Sequence, residues 1–222
     1  MILTSFFYFT SIAHATVYFT AYDPKSGAIA LVYSSSGGNF WQTLVKSKGL
    51  IGAQASGLCG TATPEIFLEE GLSAEAIGQQ LKSQCDQENF QAYRLSIITT
   101  DGKMSSVIAE AGCHSGNINC GTKKTKDFMI TGGGLEEGVL EKATSFWETL
   151  LPQLPFKCKL LFTLKWIYLV GGEKHDFAGA SITIDDPRMD NLVDWQGRGA
   201  EATLIPQISD LMKKDGYNCK ID

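Results

Sequence analysis

The chain has 222 residues, 44% hydrophobic and 19% charged, a composition that excludes disorder and describes a chain able to bury a core. No low-complexity tract or internal repeat interrupts it. Nineteen basic against 24 acidic side chains leave a net charge of −5, which gives nucleic-acid binding no electrostatic support and leaves basic partners open.

Residues 1–15, MILTSFFYFTSIAHA, carry no acidic or basic side chain, and their apolar run is shorter than the roughly 20 residues a membrane helix needs. They end in Ala13-His14-Ala15, the small-x-small pattern at which a secretory signal is cut. The expectation is a removed signal peptide and a mature chain of residues 16–222, exported to the periplasm or beyond the cell and not membrane-bound. A buried first strand is the competing reading of the same run.

From Thr16 the segment TVYFTAY alternates, Asp23-Pro24-Lys25-Ser26-Gly27 supplies turn chemistry, and AIALVYS follows, which predicts a hairpin. A third strand is expected at Leu50–Ala55. Thr63 before Pro64 and Glu65 marks a helix start, Gly71 stops that helix, and Ser73 caps the next, with Ala76, Ile77 and Leu81 on one face. Arg94–Thr99 and Met104–Ala109 flank Thr100-Asp101-Gly102, a second hairpin signal. Phe128–Thr131 reads as a strand, Leu135–Leu150 as a helix ended by Pro152 and Pro155, and residues 156–170 as an amphipathic helix. A strand at Ala178–Ile184 and a helix at Ala200–Lys214 complete one α/β domain over residues 16–222.

The six cysteines are even in number and none forms a C-x-x-C pair, which argues against zinc. With the export signal they read as disulfides, and Cys113 with Cys120 is the favoured pair because the loop between them has no periodic apolar residues. Buried thiols in a cytosolic protein are the alternative.

A cut after Ala15 would make Thr16 the first residue. Its hydroxyl would then lie a few bonds from a free amine with a pKa of about 7.7–8.0, so nucleophile and general base share one residue. In an uncut chain the same nitrogen is an amide and cannot accept the proton. Ser35, at the far end of the hairpin's second strand, is the group expected beside Thr16, unless Ser34–Ser36 belong to a polar loop. Gly132-Gly133-Gly134 before a helix offers backbone N–H groups to an oxyanion, with Gly133 and Gly134 as donors, or is a tight turn; it lacks the Lys-Ser/Thr of a phosphate loop. Glu173 and His175 follow a double glycine and are candidates for binding substrate, against the plainer reading of a solvated loop. No metal and no cofactor is expected.

TVYFTAYDPKSGAIALVYSS at Thr16–Ser35 resembles the opening of the bacterial domain-of-unknown-function family ten twenty-eight, which is classed by fold with the N-terminal-nucleophile (Ntn) hydrolases. GLIGAQA at Gly49–Ala55, FLEEGLSAEAIGQ at Phe67–Gln79, the strand Arg94–Gly102, Ala111-Gly112-Cys113 and Gly171-Gly172-Glu173 are similar to later elements of that family. The resemblance implies a four-layer αββα sandwich of the Ntn type with largely antiparallel sheets and Thr16 as nucleophile, without naming a substrate; the expected substrate is a small-molecule or peptide amide. Homo-oligomerisation stays open. Where the family usually carries Gly-Asn-x-Leu this chain has Gly133-Gly134-Leu135, and Glu173 and His175 stand for the usual Asp and Arg. Those departures motivate the alternative of a secreted binding or structural module that keeps the fold without turnover.

Overall fold

The computed structural model describes residues 16–35, 41–55, 63–87, 93–108, 119–150, 153–171, 178–199 and 201–219. The expected first hairpin is formed by β1 (Thr16–Asp23) and β2 (Ala28–Ser35). Its turn is set locally. The Asp23 carboxylate accepts the Lys25 N–H at 3.1 Å and the Ser26 hydroxyl at 2.5 Å, and the Gly27 N–H returns to the Asp23 carbonyl at 2.8 Å. Gly27 sits at φ 76°, a conformation that only glycine adopts without strain.

The next elements are β3 (Trp41–Val45), β4 (Gly49–Ala55), α1 (Pro64–Glu69), α2 (Ala74–Gln87), β5 (Tyr93–Thr99) and β6 (Met104–Ile108). They are followed by β7 (Asn119–Lys124), β8 (Phe128–Leu135), α3 (Val139–Thr149), α4 (Phe156–Leu169), β9 (Ala178–Asp185), β10 (Val193–Gly199) and α5 (Glu201–Lys214). Two antiparallel sheets result, one in the order β10-β9-β2-β1-β8-β7 and the other β3-β4-β5-β6. Strand alternation sends side chains to opposite faces and so builds three cores. Val17, Phe19 and Ala21 pack against α3, α4 and α5; Ile51, Leu95 and Ile97 pack against α1 and α2; Tyr18, Leu31, Leu50 and Ile98 fill the space between the sheets. The layers are therefore helix, sheet, sheet, helix, as the resemblance implies.

Polar contacts tie β1 and β9 of the larger sheet to β3 and β4 of the smaller one. The Tyr18 ring lies on Gly52, where a Cβ would come within 2.4 Å of it, and its hydroxyl donates to the Ala53 carbonyl at 3.2 Å. Burial pushes the Tyr18 phenol well above its usual pKa. At the other end, buried Asp185 of β9 accepts from Lys46 Nζ at 2.5 Å and from the Ser47 N–H at 2.6 Å in the β3–β4 turn.

Several expectations change. Strands β3, β7 and β10 were not read from sequence. Gly132, Gly133 and Gly134 do not form a turn before a helix: all three lie in β8, and α3 begins only at Val139. Their lack of a side chain serves packing instead, since a Cβ on Gly132 would meet Leu135 at 2.8 Å and Val17 at 2.9 Å. Helix α4 is buried at Cys158, Leu160, Leu161, Phe162, Leu164, Ile167 and Tyr168, more than one stripe, because α3 and α5 flank it on the sheet. Thr63 precedes α1 without a side-chain cap bond, whereas Ser73 Oγ does accept the Ala76 N–H, at 3.2 Å.

Candidate active site

The register of the first hairpin puts Thr16 opposite Ser35, and the register of β1 with β8 puts Thr16 opposite Gly133 on its other side. The turn at Asp23–Gly27 fixes the first pairing. A slip of one residue would send Ser35 to the helical face and bring a neighbour of opposite orientation to Thr16. Instead Thr16 Oγ1 and Ser35 Oγ share a hydrogen bond at 3.3 Å, with Thr16 8% and Ser35 3% exposed. Ser34, one residue earlier, faces the helices and bonds the Tyr168 hydroxyl of α4 at 2.7 Å. Of the serine cluster, only Ser34 and Ser35 fall within the described residues, and Ser35 is the one beside Thr16.

Thr16, Ser35 and Gly133 share the strand parity of Tyr18, Tyr33 and Met129, which pack between the sheets. The facing strand contributes Arg94, on the same parity as Ile98 of β5. Its side chain, 8% exposed, crosses the gap and lies directly on Gly133, where a Cβ would stand 2.3 Å from both Cζ and Nη2. Gly133 is the register partner of Thr16, so the guanidinium lies over β8 at the position opposite Thr16. Nη2 also donates to Cys120 Sγ at 3.2 Å. The site thus joins two hydroxyls, a buried guanidinium and a thiol at one end of the inter-sheet space.

Cys120 is not disulfide-bonded, which corrects the expected Cys113–Cys120 bridge and the expectation that every cysteine is oxidised. Within β7 its sulfur is turned to Arg94. Cys158 and Cys219 do form a bridge, and Cys85 belongs to another whose other half lies outside the described residues. Cys113, Glu173 and His175 also lie outside them. Gly134, at φ 73°, follows Gly133 near the end of β8. The backbone donors assigned to a helix start are therefore strand positions, and Gly133 enters the site as the place where Arg94 rests.

Sequence reading missed Arg94. Its signal was a lone cation inside the apolar run Tyr93–Ile98, on the face that alternation directs between the sheets. Its guanidinium fills the space that a side chain at position 133 would need. Gly133→Ala is expected to displace the guanidinium and destabilise the fold by about 1–2 kcal/mol, since a buried charge loses its place. Adding Arg94→Met should recover much of that loss, and urea unfolding of the two single variants and the double variant measures the coupling.

The antiparallel four-layer sandwich of helix, sheet, sheet and helix has the architecture of the Ntn-hydrolase-like fold. Among solved structures, a Silicibacter pomeroyi protein of the family DUF1028 aligns at a TM-score of 0.71, covering 91% of this chain and 90% of that one at 16% identity. That likeness establishes a shared fold. A Gly-1 mutant of Anbu from Hyphomicrobium sp. strain MC1 aligns at a TM-score of 0.43 and 6% identity, over 90% of this chain and 95% of that one. No protein-family model matches the chain, and no curated protein does.

Proposed function

We propose that the protein is an exported Ntn-type hydrolase of an amide bond, with Thr16 as its nucleophile once residues 1–15 are removed. The observation that carries this reading is the Thr16–Ser35 hydrogen bond beside Gly133 with the Arg94 guanidinium over it. Thr16 Oγ1 attacks the substrate carbonyl while the α-amine of the same residue takes the hydroxyl proton. Ser35 orients the hydroxyl. Arg94 faces the negative charge that develops on the carbonyl oxygen, in a space where water is largely excluded and such donors act strongly. The amine then gives its proton to the leaving nitrogen, and a water activated by the amine hydrolyses the resulting ester, returning Thr16. A guanidinium near the amine also disfavours its charged form and so keeps more of it available as base.

Export is supported by the Cys158–Cys219 bridge, which suits an oxidising compartment. No helix among the described residues is long and apolar enough to cross a membrane. The test is intact-mass measurement of the exported protein, followed by reaction with a peptide epoxyketone, which captures a terminal Thr. One adduct, mapped to Thr16, is the expected result. A mature chain that begins elsewhere overturns the reading.

A further inference from the structure

We infer, on the reading of Thr16 as nucleophile, that the acyl part of its substrate is a short chain ending in a carboxylate, which runs over β2 and β9 and is held above Gly179 by Arg198 and Ser181. The direction follows from what surrounds the nucleophile. The Arg94 guanidinium rests over Gly133, on the β8 side of Thr16, and draws the carbonyl oxygen that way. The α-amine, which passes its proton to the leaving nitrogen, stands at the very start of β1. The acyl chain, the third substituent of the reacting carbon, is left the remaining side, across Ser35.

On that side the register lines up Thr16, Ser35, Gly179 and Arg198 on the neighbouring strands β1, β2, β9 and β10. Residues directly opposed in a sheet share a face, so this row belongs to the face that carries Tyr18 and Tyr33. Gly197 fixes the parity of Arg198 independently, since a Cβ on Gly197 would meet the Leu204 carbonyl at 3.0 Å and Ile208 at 3.2 Å on the α5 side. The backbone of Arg198 is pinned. Its N–H donates to Gln207 Oε1 and its carbonyl accepts from Gln207 Nε2, both at 3.1 Å. The side chain is exposed and makes no ion pair among the described residues. Asp194, on the same face of β10, is committed elsewhere: it accepts the Thr183 hydroxyl at 2.9 Å and the Gln196 amide at 2.6 Å.

Between Ser35 and Arg198 the row carries no side chain. A Cβ on Gly179 would meet, among the described residues, only the Tyr33 hydroxyl, at 3.8 Å. Ser181, two residues along β9 on the same face and opposite Tyr33, is 1% exposed, and its Oγ has no hydrogen-bond partner. A buried hydroxyl left so is destabilising, and donation to an anion relieves it. A guanidinium at the rim, a buried donor at Ser181 and the Tyr33 hydroxyl beside a glycine floor fit one carboxylate. Gly179 lies two strand spacings from Thr16, about 10 Å, a span that suits an acyl chain of about six carbons together with the hydrogen bond at its end.

The test uses the mono-4-nitroanilide of adipic acid and its neutral counterpart, hexanoic acid 4-nitroanilide, each titrated calorimetrically into the mature Thr16→Ala protein, which binds without turnover. The adipoyl compound is expected to bind at least tenfold more tightly. Arg198→Gln in that background should bring the two within about twofold, and Arg198→Lys should keep part of the preference. Ser181→Ala should weaken adipoyl binding about threefold or more without lowering thermal stability, because the hydroxyl it removes has no partner in the fold. With the parent protein, adipoyl-selective, Arg198-dependent binding but no release of 4-nitroaniline would remove the catalytic reading and keep the carboxylate site. Release from both anilides at equal kcat/KM would keep Thr16 as nucleophile and overturn the carboxylate site. Equal binding of the two compounds, no saturable binding, a preference that survives Arg198→Gln, or an adipoyl affinity untouched by Ser181→Ala would each overturn it as well.

Discussion

Thr16→Ala in the mature protein should abolish amide hydrolysis, with a loss on the order of 10³-fold or more, while the fold keeps nearly all its stability. The stability cost is small because the change removes a γ-methyl and one hydrogen bond, to Ser35, worth about 1 kcal/mol. Thr16→Ser should retain measurable turnover, since the hydroxyl and the amine both remain. Protein that keeps residues 1–15 should fold and be inert, because an amide nitrogen cannot take the hydroxyl proton. The working base is a neutral amine, so activity should fall as pH drops below the amine's pKa. Arg94→Met should move that acidic limb to higher pH: a nearby cation disfavours the ammonium form, and removing it raises the amine's pKa. Initial rates across pH for the parent and these variants decide the matter. Turnover that survives both Thr16→Ala and retention of the leader would assign the nucleophile to another residue.

The parts of this site legible in the sequence are those fixed by local chemistry. Asp23, Ser26 and Gly27 build the hairpin turn with bonds inside five residues, and once the turn is placed, counting along the two strands brings Ser35 to Thr16. The Asp101-Gly102 hairpin is of the same kind, with Gly102 at φ 75°. Gly133 was singled out for the wrong reason. A run of glycines ordinarily marks a turn, but here strand geometry is kept and the missing side chains make room for Leu135, Val17 and Arg94, which only the assembled sheets bring there.

The missed strands divide in the same way. In β10, Val193 and Trp195 are buried while Asp194, Gln196 and Arg198 are exposed, so the period of two was present in the sequence and passed over. In β7, Asn119–Lys124 carries no large apolar residue, and as an edge strand it takes its form from hydrogen bonding to β8 rather than from its own side chains. Arg94 belongs to this second group: its strand was legible, but its role depends on a glycine 39 positions away meeting it across two sheets.

Removing the Cys158–Cys219 bridge should cost about 4 kcal/mol, the largest loss of stability expected from any change argued here. The two cysteines are 61 residues apart, and closing a loop of that length withdraws much conformational freedom from the unfolded chain. The loop contains β9, β10 and α5, so the bridge fastens the end of the chain, beyond α5, to the buried helix α4. Without it the packing of Trp195, Leu204, Ile208 and Met212 still holds α5 on the sheet, and the protein should fold. The segment around Tyr217 would lose its covalent hold on α4 and loosen first. A Cys158→Ala/Cys219→Ser variant is expected to melt roughly 10 °C below the parent, given about 2–4 °C per kcal/mol for a chain of this size. Reduction of the parent should lower its melting temperature by at least the variant's deficit, and any further loss on reducing the variant, which keeps the Cys85 bridge, measures that second bridge separately. A variant within about 1 kcal/mol of the parent in urea unfolding would show that the unfolded chain gains little freedom from losing the bridge and that the packing of α4 against α5 suffices.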